Sequence, residues 1–160
     1  MKAVLQVVEN CTLTIEGKEF SHIDRGIMLL LGVGVNDTDK DCEKLVKKVA
    51  GLRIFDDEND KMNLSCTDPY INGKFMVVSQ FTLYANSTHG KRPDMLEAAR
   101  PEKAIPLYEK FVQMLNDECR TITGRSEENF VVTGQFGAYM QISFTNMGPK
   151  TFIIESEKLK

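Results

Sequence analysis

Ser79, Gln80 and Thr82 are the residues of this 160-residue chain whose types and spacing point most directly to chemistry. They close the run Phe75-Met76-Val77-Val78-Ser79-Gln80-Phe81-Thr82-Leu83-Tyr84, which begins as a buried strand does, unbroken by polarity. A hydroxyl or amide at the end of a buried strand needs hydrogen-bond partners, or it costs about 1–3 kcal/mol. Either the fold supplies those partners or a ligand does. A hydroxyl nucleophile also needs an adjacent base at neutral pH. None lies close in sequence, and His89 falls seven residues after Thr82 in a polar stretch. Attack by Ser79 or Thr82 therefore ranks below a role in which these groups bond the end of the sheet. A third reading needs no special side chain: the strand's backbone N–H groups bind an oxyanion.

Gly148-Pro149 is the second unusual spot. Its ordinary reading is a β-turn between two strands. Only about one X–Pro bond in twenty is cis in folded proteins, so cis is not the default. Glycine before proline still lets backbone approach a ligand closely. Ser87-Thr88-His89-Gly90-Lys91-Arg92-Pro93 forms a small basic loop, in which Lys91 and Arg92 are solvated or hold phosphates.

Other motifs fail on inspection. The two histidines, His22 and His89, have no metal-ligand spacing, so a metal site is not expected. Gly32-Val33-Gly34-Val35-Asn36-Asp37 starts like a dinucleotide loop but has Asp37 where the third glycine belongs. Asp56-Asp57-Glu58-Asn59-Asp60 suggests calcium, yet Lys61 and Thr67 occupy the positions that need glycine and glutamate. No cofactor is called for.

The elements that must position these residues follow from pattern. Met1–Val8 and Thr12–Ile15 read as strands joined by a polar turn at Glu9-Asn10, and Gly17-Lys18 as a turn before Phe20–Ile23. Asp24-Arg25-Gly26 reads as a turn into the apolar strand Ile27–Val33. Thr38 caps a helix with Cys42, Leu45, Val46 and Val49 on one face and Gly51 near its end. Leu52–Phe55 is a short strand, Asp56–Lys61 an acidic turn, Phe75–Tyr84 a central strand and Asn86–Arg100 a polar loop. A second helix starts at Pro101 or Pro106 and carries the stripe Ile105, Tyr108, Phe111, Val112, Leu115 and Cys119. Thr121–Asn129 is a loop, and Phe130–Thr133 and Tyr139–Thr145 are strands. Asn146-Met147-Gly148-Pro149 breaks the last of these before Thr151–Glu155 resumes.

That makes about nine strands and two main helices in one domain spanning residues 1–160, with no internal repeat. The fold class is α+β, with mostly antiparallel β-sheets packed in layers (α/β/β, barrel-like). A net charge of −3 argues against a protein coated in basic residues for nucleic acid. The longest apolar run, Ile27 to Val35, is too short to span a membrane, for which about 20 residues are needed. Cys11, Cys42, Cys66 and Cys119 lack C-x-x-C spacing and, with no export signal, read as reduced cytosolic thiols.

Ser79-Gln80-Phe81-Thr82-Leu83-Tyr84 and, further on, Asn146-Met147-Gly148-Pro149-Lys150-Thr151 resemble the D-aminoacyl-tRNA deacylases. The likeness covers essentially the whole chain. It includes the Met1–Gln6 opening, Gly26 to Gly34, Leu52-Arg53-Ile54-Phe55, Lys61–Ser65, Gly90-Lys91-Arg92-Pro93 and Gly134–Met140. The resemblance implies a cytoplasmic homodimeric enzyme with no cofactor. It would hydrolyse the ester joining a D-amino acid, or glycine, to the 3′ end of tRNA. Ser79, Gln80, Phe81 and Thr82 would line the pocket, with backbone amides holding the ester carbonyl. Thr82 would be a nucleophile, or the 2′-hydroxyl of the tRNA would assist. Gly148-Pro149 would be cis, reach into the partner subunit's pocket, hold the substrate amine and exclude an L side chain. Phe136 and Met140 would lie near the adenosine or the pocket wall.

Two positions depart from the family pattern. Lys150 stands where Gly-Pro-Val-Thr has valine, and Val7 stands where Gln-Arg-Val has an arginine that orients the Gly-Pro pair. Both touch the chirality filter. The departures leave room for a relaxed deacylase acting on L-alanyl-tRNA. Lys91-Arg92 leaves room for a non-catalytic nucleic-acid-binding protein on the same scaffold.

Overall fold

The computed structural model describes residues 1–160. β1 (Lys2–Ile15) and β2 (Lys18–Gly32) form a long antiparallel hairpin. Glu16 and Gly17 close it, both at positive φ, as a two-residue hairpin turn demands. α1 (Asp39–Ala50) follows, with Thr38 N–H and Oγ both donating to the Asp41 carboxylate. A small antiparallel pair, β3 (Arg53–Asp56) and β4 (Met62–Ser65), comes next. β5 (Lys74–Ser79) leads into a single 3-10 turn, Phe81–Tyr84. α2 (Pro101–Thr123) starts on Pro101 and stops at Gly124, which is left-handed. β6 (Val131–Thr133) and β7 (Met140–Glu155) complete the sheet.

The main sheet has the order β6-β5-β2-β1-β7. β1 pairs antiparallel with both β2 and β7, while β5 runs parallel to both β2 and β6. The sheet is therefore mixed, and it is open between the β6 and β7 edges. The α+β layering with two main helices stands, and most of the pairing is antiparallel as expected, but the sheet does not close into a barrel. Two parallel crossovers place α1 and α2 on one face of the sheet, as parallel connections require.

Alternation along the strands divides the core. Leu5, Leu29, Leu31, Phe75 and Val77 face the helices and pack with Leu45, Phe111 and Leu115. Val8, Leu13, Met28, Met76 and Val78 form a smaller cluster on the opposite face. Both faces bury apolar side chains, which explains the unbroken runs at Ile27–Leu31 and Phe75–Val78.

Several expected breaks are absent, so seven strands replace about nine. β1 runs through Glu9-Asn10, where Asn10 takes φ 50° and the register to β7 shifts. Asparagine tolerates that conformation, so the chain bulges instead of turning. Asp24-Arg25-Gly26 stays inside β2, with Gly26 opposite Val8. β7 passes through Gly148-Pro149 because it is an edge strand, where proline's missing N–H costs no ladder bond. Conversely, the expected strand Phe75–Tyr84 ends at Ser79. Its partner β2 ends at Gly32, just past the Leu31–Ser79 pair, so nothing remains for Phe81–Tyr84 to pair with. The start of the expected loop Thr121–Asn129 belongs to α2, which runs on to Thr123.

Candidate active site

Where β5 stops, Gln80 N–H donates to the Leu31 carbonyl at 2.8 Å and the chain coils into the Phe81–Tyr84 turn. The first N–H groups of such a turn, those of Phe81 and Thr82, have no acceptor inside it. The turn rests directly on β2. A Cβ on Gly34 would sit 2.6 Å from the Tyr84 ring, so only glycine admits this approach. Spacing that looked like a dinucleotide loop thus serves packing.

The far end of the turn is tied down through Tyr84. Its hydroxyl donates to Asp37 Oδ2 at 3.0 Å, and Gly34 N–H donates to the same oxygen at 2.5 Å. Asp37 Oδ1 lies 2.5 Å from the buried Met1 ammonium, which also donates to Ser156 Oγ at 2.5 Å. Burial, then the adjacent Asp37 charge, push the Tyr84 phenol well above its ordinary range, so it remains a donor.

Beside the turn lies a cleft of about 640 Å³. Its walls are apolar, with Tyr108, Phe136, Met140 and Ile142 prominent, and Ser79, Gln80 and Phe81 complete the lining. The Tyr108 ring meets Phe136 edge-on at 5.9 Å, and its hydroxyl donates to the Val77 carbonyl at 2.8 Å. Burial pushes the Tyr108 phenol up to about 12, which keeps it a neutral donor. A cleft of this size suits a small organic group, with orientation left to a few polar contacts at the rim.

The structure thus brings Ser79, Gln80, Phe81, Phe136 and Met140 together around one cleft. Thr82 is exposed and does not line it. Its Oγ instead accepts a hydrogen bond from Gln80 Nε2, and no histidine or carboxylate bonds to it. His22 is held elsewhere, between Thr12 Oγ and Asp24 Oδ1. Lys91 and Arg92 are exposed in the loop pinched by the Asn86–Asp94 bridge.

Gly148 and Pro149 are exposed and lie outside the cleft lining of their own chain. The peptide bond between them is cis, and Gly148 takes φ 108°. Gly148 borders a separate hollow of about 150 Å³ with Val7, Phe55, Asp56 and Lys150.

The model of the family D-Tyr-tRNA(Tyr) deacylase matches residues 4–155. The chain belongs to this family. Deacylase-family relatives span it end to end. One named D-aminoacyl-tRNA deacylase, from Thermotoga petrophila, is 46% identical over 159 residues, 99% of each chain. Another of that name, from Clostridioides difficile, is 43% identical over 158 residues, again 99% of each. Among solved structures, one named c-Myc DNA Unwinding Element Binding Protein aligns at TM-score 0.85 and 37% identity, covering 97% of this chain and 98% of its own. A probable eukaryotic D-amino acid tRNA deacylase aligns at TM-score 0.80 over 96% and 98%, and its 16% identity speaks to the fold alone.

Some residues that line the cleft or hold its turn carry little local signal in the sequence. Tyr108 reads as one more member of an apolar helix stripe, although a tyrosine in such a stripe signals a polar tip that needs a partner. Asp37 counts only as a failed glycine position, while in space it joins Met1, Gly34 and Tyr84. Tyr139 stands 88% exposed on the cleft rim, where an aromatic face is free to stack.

Proposed function

We propose that this chain, residues 1–160 acting as one domain, hydrolyses the ester of D-aminoacyl-tRNA in the cytoplasm. The observation that carries this reading is the turn after β5. Phe81 and Thr82 N–H groups open it beside an apolar cleft, in a segment that matches the family motif. Those N–H groups would receive the carbonyl oxygen as it becomes an oxyanion. Gln80 and Thr82 side chains, bonded to each other, hold the turn in place. Phe136 and Met140 take the apolar parts of the aminoacyl-adenosine end. Lacking a base at Thr82, the enzyme would rely on the substrate's 2′-hydroxyl to assist water's attack. Glycyl-tRNA, which has no side chain to exclude, would also be a substrate.

Selectivity needs a second chain in this reading. Gly148-Pro149 is exposed and lies outside the apolar cleft of its own chain, which favours a homodimer in which it enters the partner's cleft. There its carbonyls would hold the amine and leave no room for an L side chain. Lys91 and Arg92 would meet tRNA phosphates as weaker contacts.

The test uses purified protein far below substrate concentration, with D-Tyr-tRNA and L-Tyr-tRNA. Repeated release of D-tyrosine, with L-tyrosine much slower, is expected. No release of D-tyrosine overturns the reading, and equal rates on D- and L-alanyl-tRNA point to a relaxed deacylase. The similarity to a structure named as a DNA-binding protein supports a second reading, nucleic-acid binding without hydrolysis. Tight duplex DNA binding at physiological salt, with no ester cleavage, would select it.

A further inference from the structure

The register of β7 against β1 shifts twice, once at the Asn10 bulge and once beside Val7. At the second shift, Gln6 pairs with Thr151 and Val8 pairs with Asn146. Val7 alone therefore faces Met147, Gly148, Pro149 and Lys150, and the corner they form leaves the ladder. Val7 is buried and aliphatic, so it offers the corner no side-chain hydrogen bond. Met147 fastens one side by packing on the main core. The other side is fastened by Lys150. Its ammonium lies 2.5 Å from Asp56 Oδ2, at the end of β3. Its stem lies against Gly148, where an added Cβ would meet Lys150 Cγ at 2.8 Å. Lys150 is 22% exposed and Asp56 45%, so the pair is partly shielded from water on the lysine side only. Arg25 borders the same hollow but makes no bond to Asp56.

We propose that the Lys150–Asp56 ion pair is the brace that fixes the Gly148-Pro149 corner in this chain and sets how sharply it separates D from L substrates. The brace ties the corner to the β3–β4 pair, an anchor independent of residue 7. Lys150 and Asp56 are positioning residues, since neither lines the cleft. Their effect on selectivity rests on the deacylase reading above.

The test compares wild type with Lys150→Met, which keeps the stem over Gly148 and removes the ammonium. Asp56→Asn removes the charge from the other side. Lys150→Arg keeps the pair, and the double exchange Lys150→Asp with Asp56→Lys reverses it. Hydrogen exchange over residues 146–151 reads the brace without any substrate. It should quicken in Lys150→Met and Asp56→Asn, and stay near wild type in Lys150→Arg. The ratio of kcat/KM for D-Tyr-tRNA over L-Tyr-tRNA should fall roughly five-fold in the two broken variants, the size a half-buried ion pair can supply. It should recover in Lys150→Arg and at least partly in the double exchange. Unchanged exchange overturns the brace. Faster exchange with an unchanged D/L ratio overturns its role in selectivity. If wild type releases no D-tyrosine while exchange still responds, the deacylase reading fails and the brace remains.

Discussion

The Tyr84 hydroxyl and the Asp37 carboxylate meet at 3.0 Å, joining the last residue of the site's turn to the buried Met1 ammonium through one side chain. Truncating Asp37 would strip the ammonium of its counter-ion and Tyr84 of its acceptor. Asp37→Ala is expected to cost about 3 kcal/mol, the scale for breaking a buried ion pair. Tyr84→Phe removes a single hydrogen bond and should cost about 1 kcal/mol. Urea unfolding of both variants measures the difference, and equal costs would show that the ammonium is not held by Asp37.

Thr82 offers a direct test of mechanism. Its Oγ is engaged by Gln80 Nε2 and has no base. Thr82→Ala should therefore lower kcat for D-Tyr-tRNA by about ten-fold or less, as the turn loosens around its N–H groups. Removing a true nucleophile would cost more than about 10⁴-fold. Single-turnover kinetics separate these outcomes.

Tyr108 has two jobs that two substitutions can divide. Tyr108→Phe keeps the ring against Phe136 and loses the bond to Val77, so about 1 kcal/mol of stability should go with little change in KM. Tyr108→Ala also opens the cleft wall, and KM should rise several-fold. A steady-state comparison of the two variants decides this.

The thiols set an alkaline limit. Burial pushes Cys11 and Cys42 up to about 11 and Cys119 to about 12, and Cys66 well above its ordinary 9.0. Unfolded thiols titrate near 9.0, so above that pH the unfolded chain has fewer bound protons than the folded one. The stability these groups contribute is complete below about pH 9 and is lost as pH rises through 11–12. Urea midpoints should fall steadily above pH 9. Iodoacetamide at pH 8 should leave all four thiols unlabelled in the native protein and label them in denaturant.

The helices were the most legible part of the sequence, because their signals are local. Thr38 and Gly51 bracket α1, and Pro101 with the spacing of Phe111, Leu115 and Cys119 marks α2, whose end alone runs past the expected loop start at Thr121. Strand ends were less legible because partners decide them. Phe81, Thr82, Leu83 and Tyr84 have strand-forming character, yet β2 ends at Gly32 and the chain coils. Gly148-Pro149 looks like a break, yet an edge position lets the strand continue. Ser79 and Gln80 could be placed at a site from their polarity at the end of a buried run, whereas Thr82, read the same way, lies outside the cleft lining. The Asp37 network could not, since it joins residues from both ends of the chain.

The ladder between β1 and β7 closes again on each side of the Gly148-Pro149 corner. The number of residues in the corner is therefore uncoupled from the register of the sheet. Insertions or replacements there would leave Gln6 opposite Thr151 and Val8 opposite Asn146. Exchanges at the exposed Gly148 and Pro149 would thus be felt at the surface of the molecule, while the core beneath keeps its strand pairing.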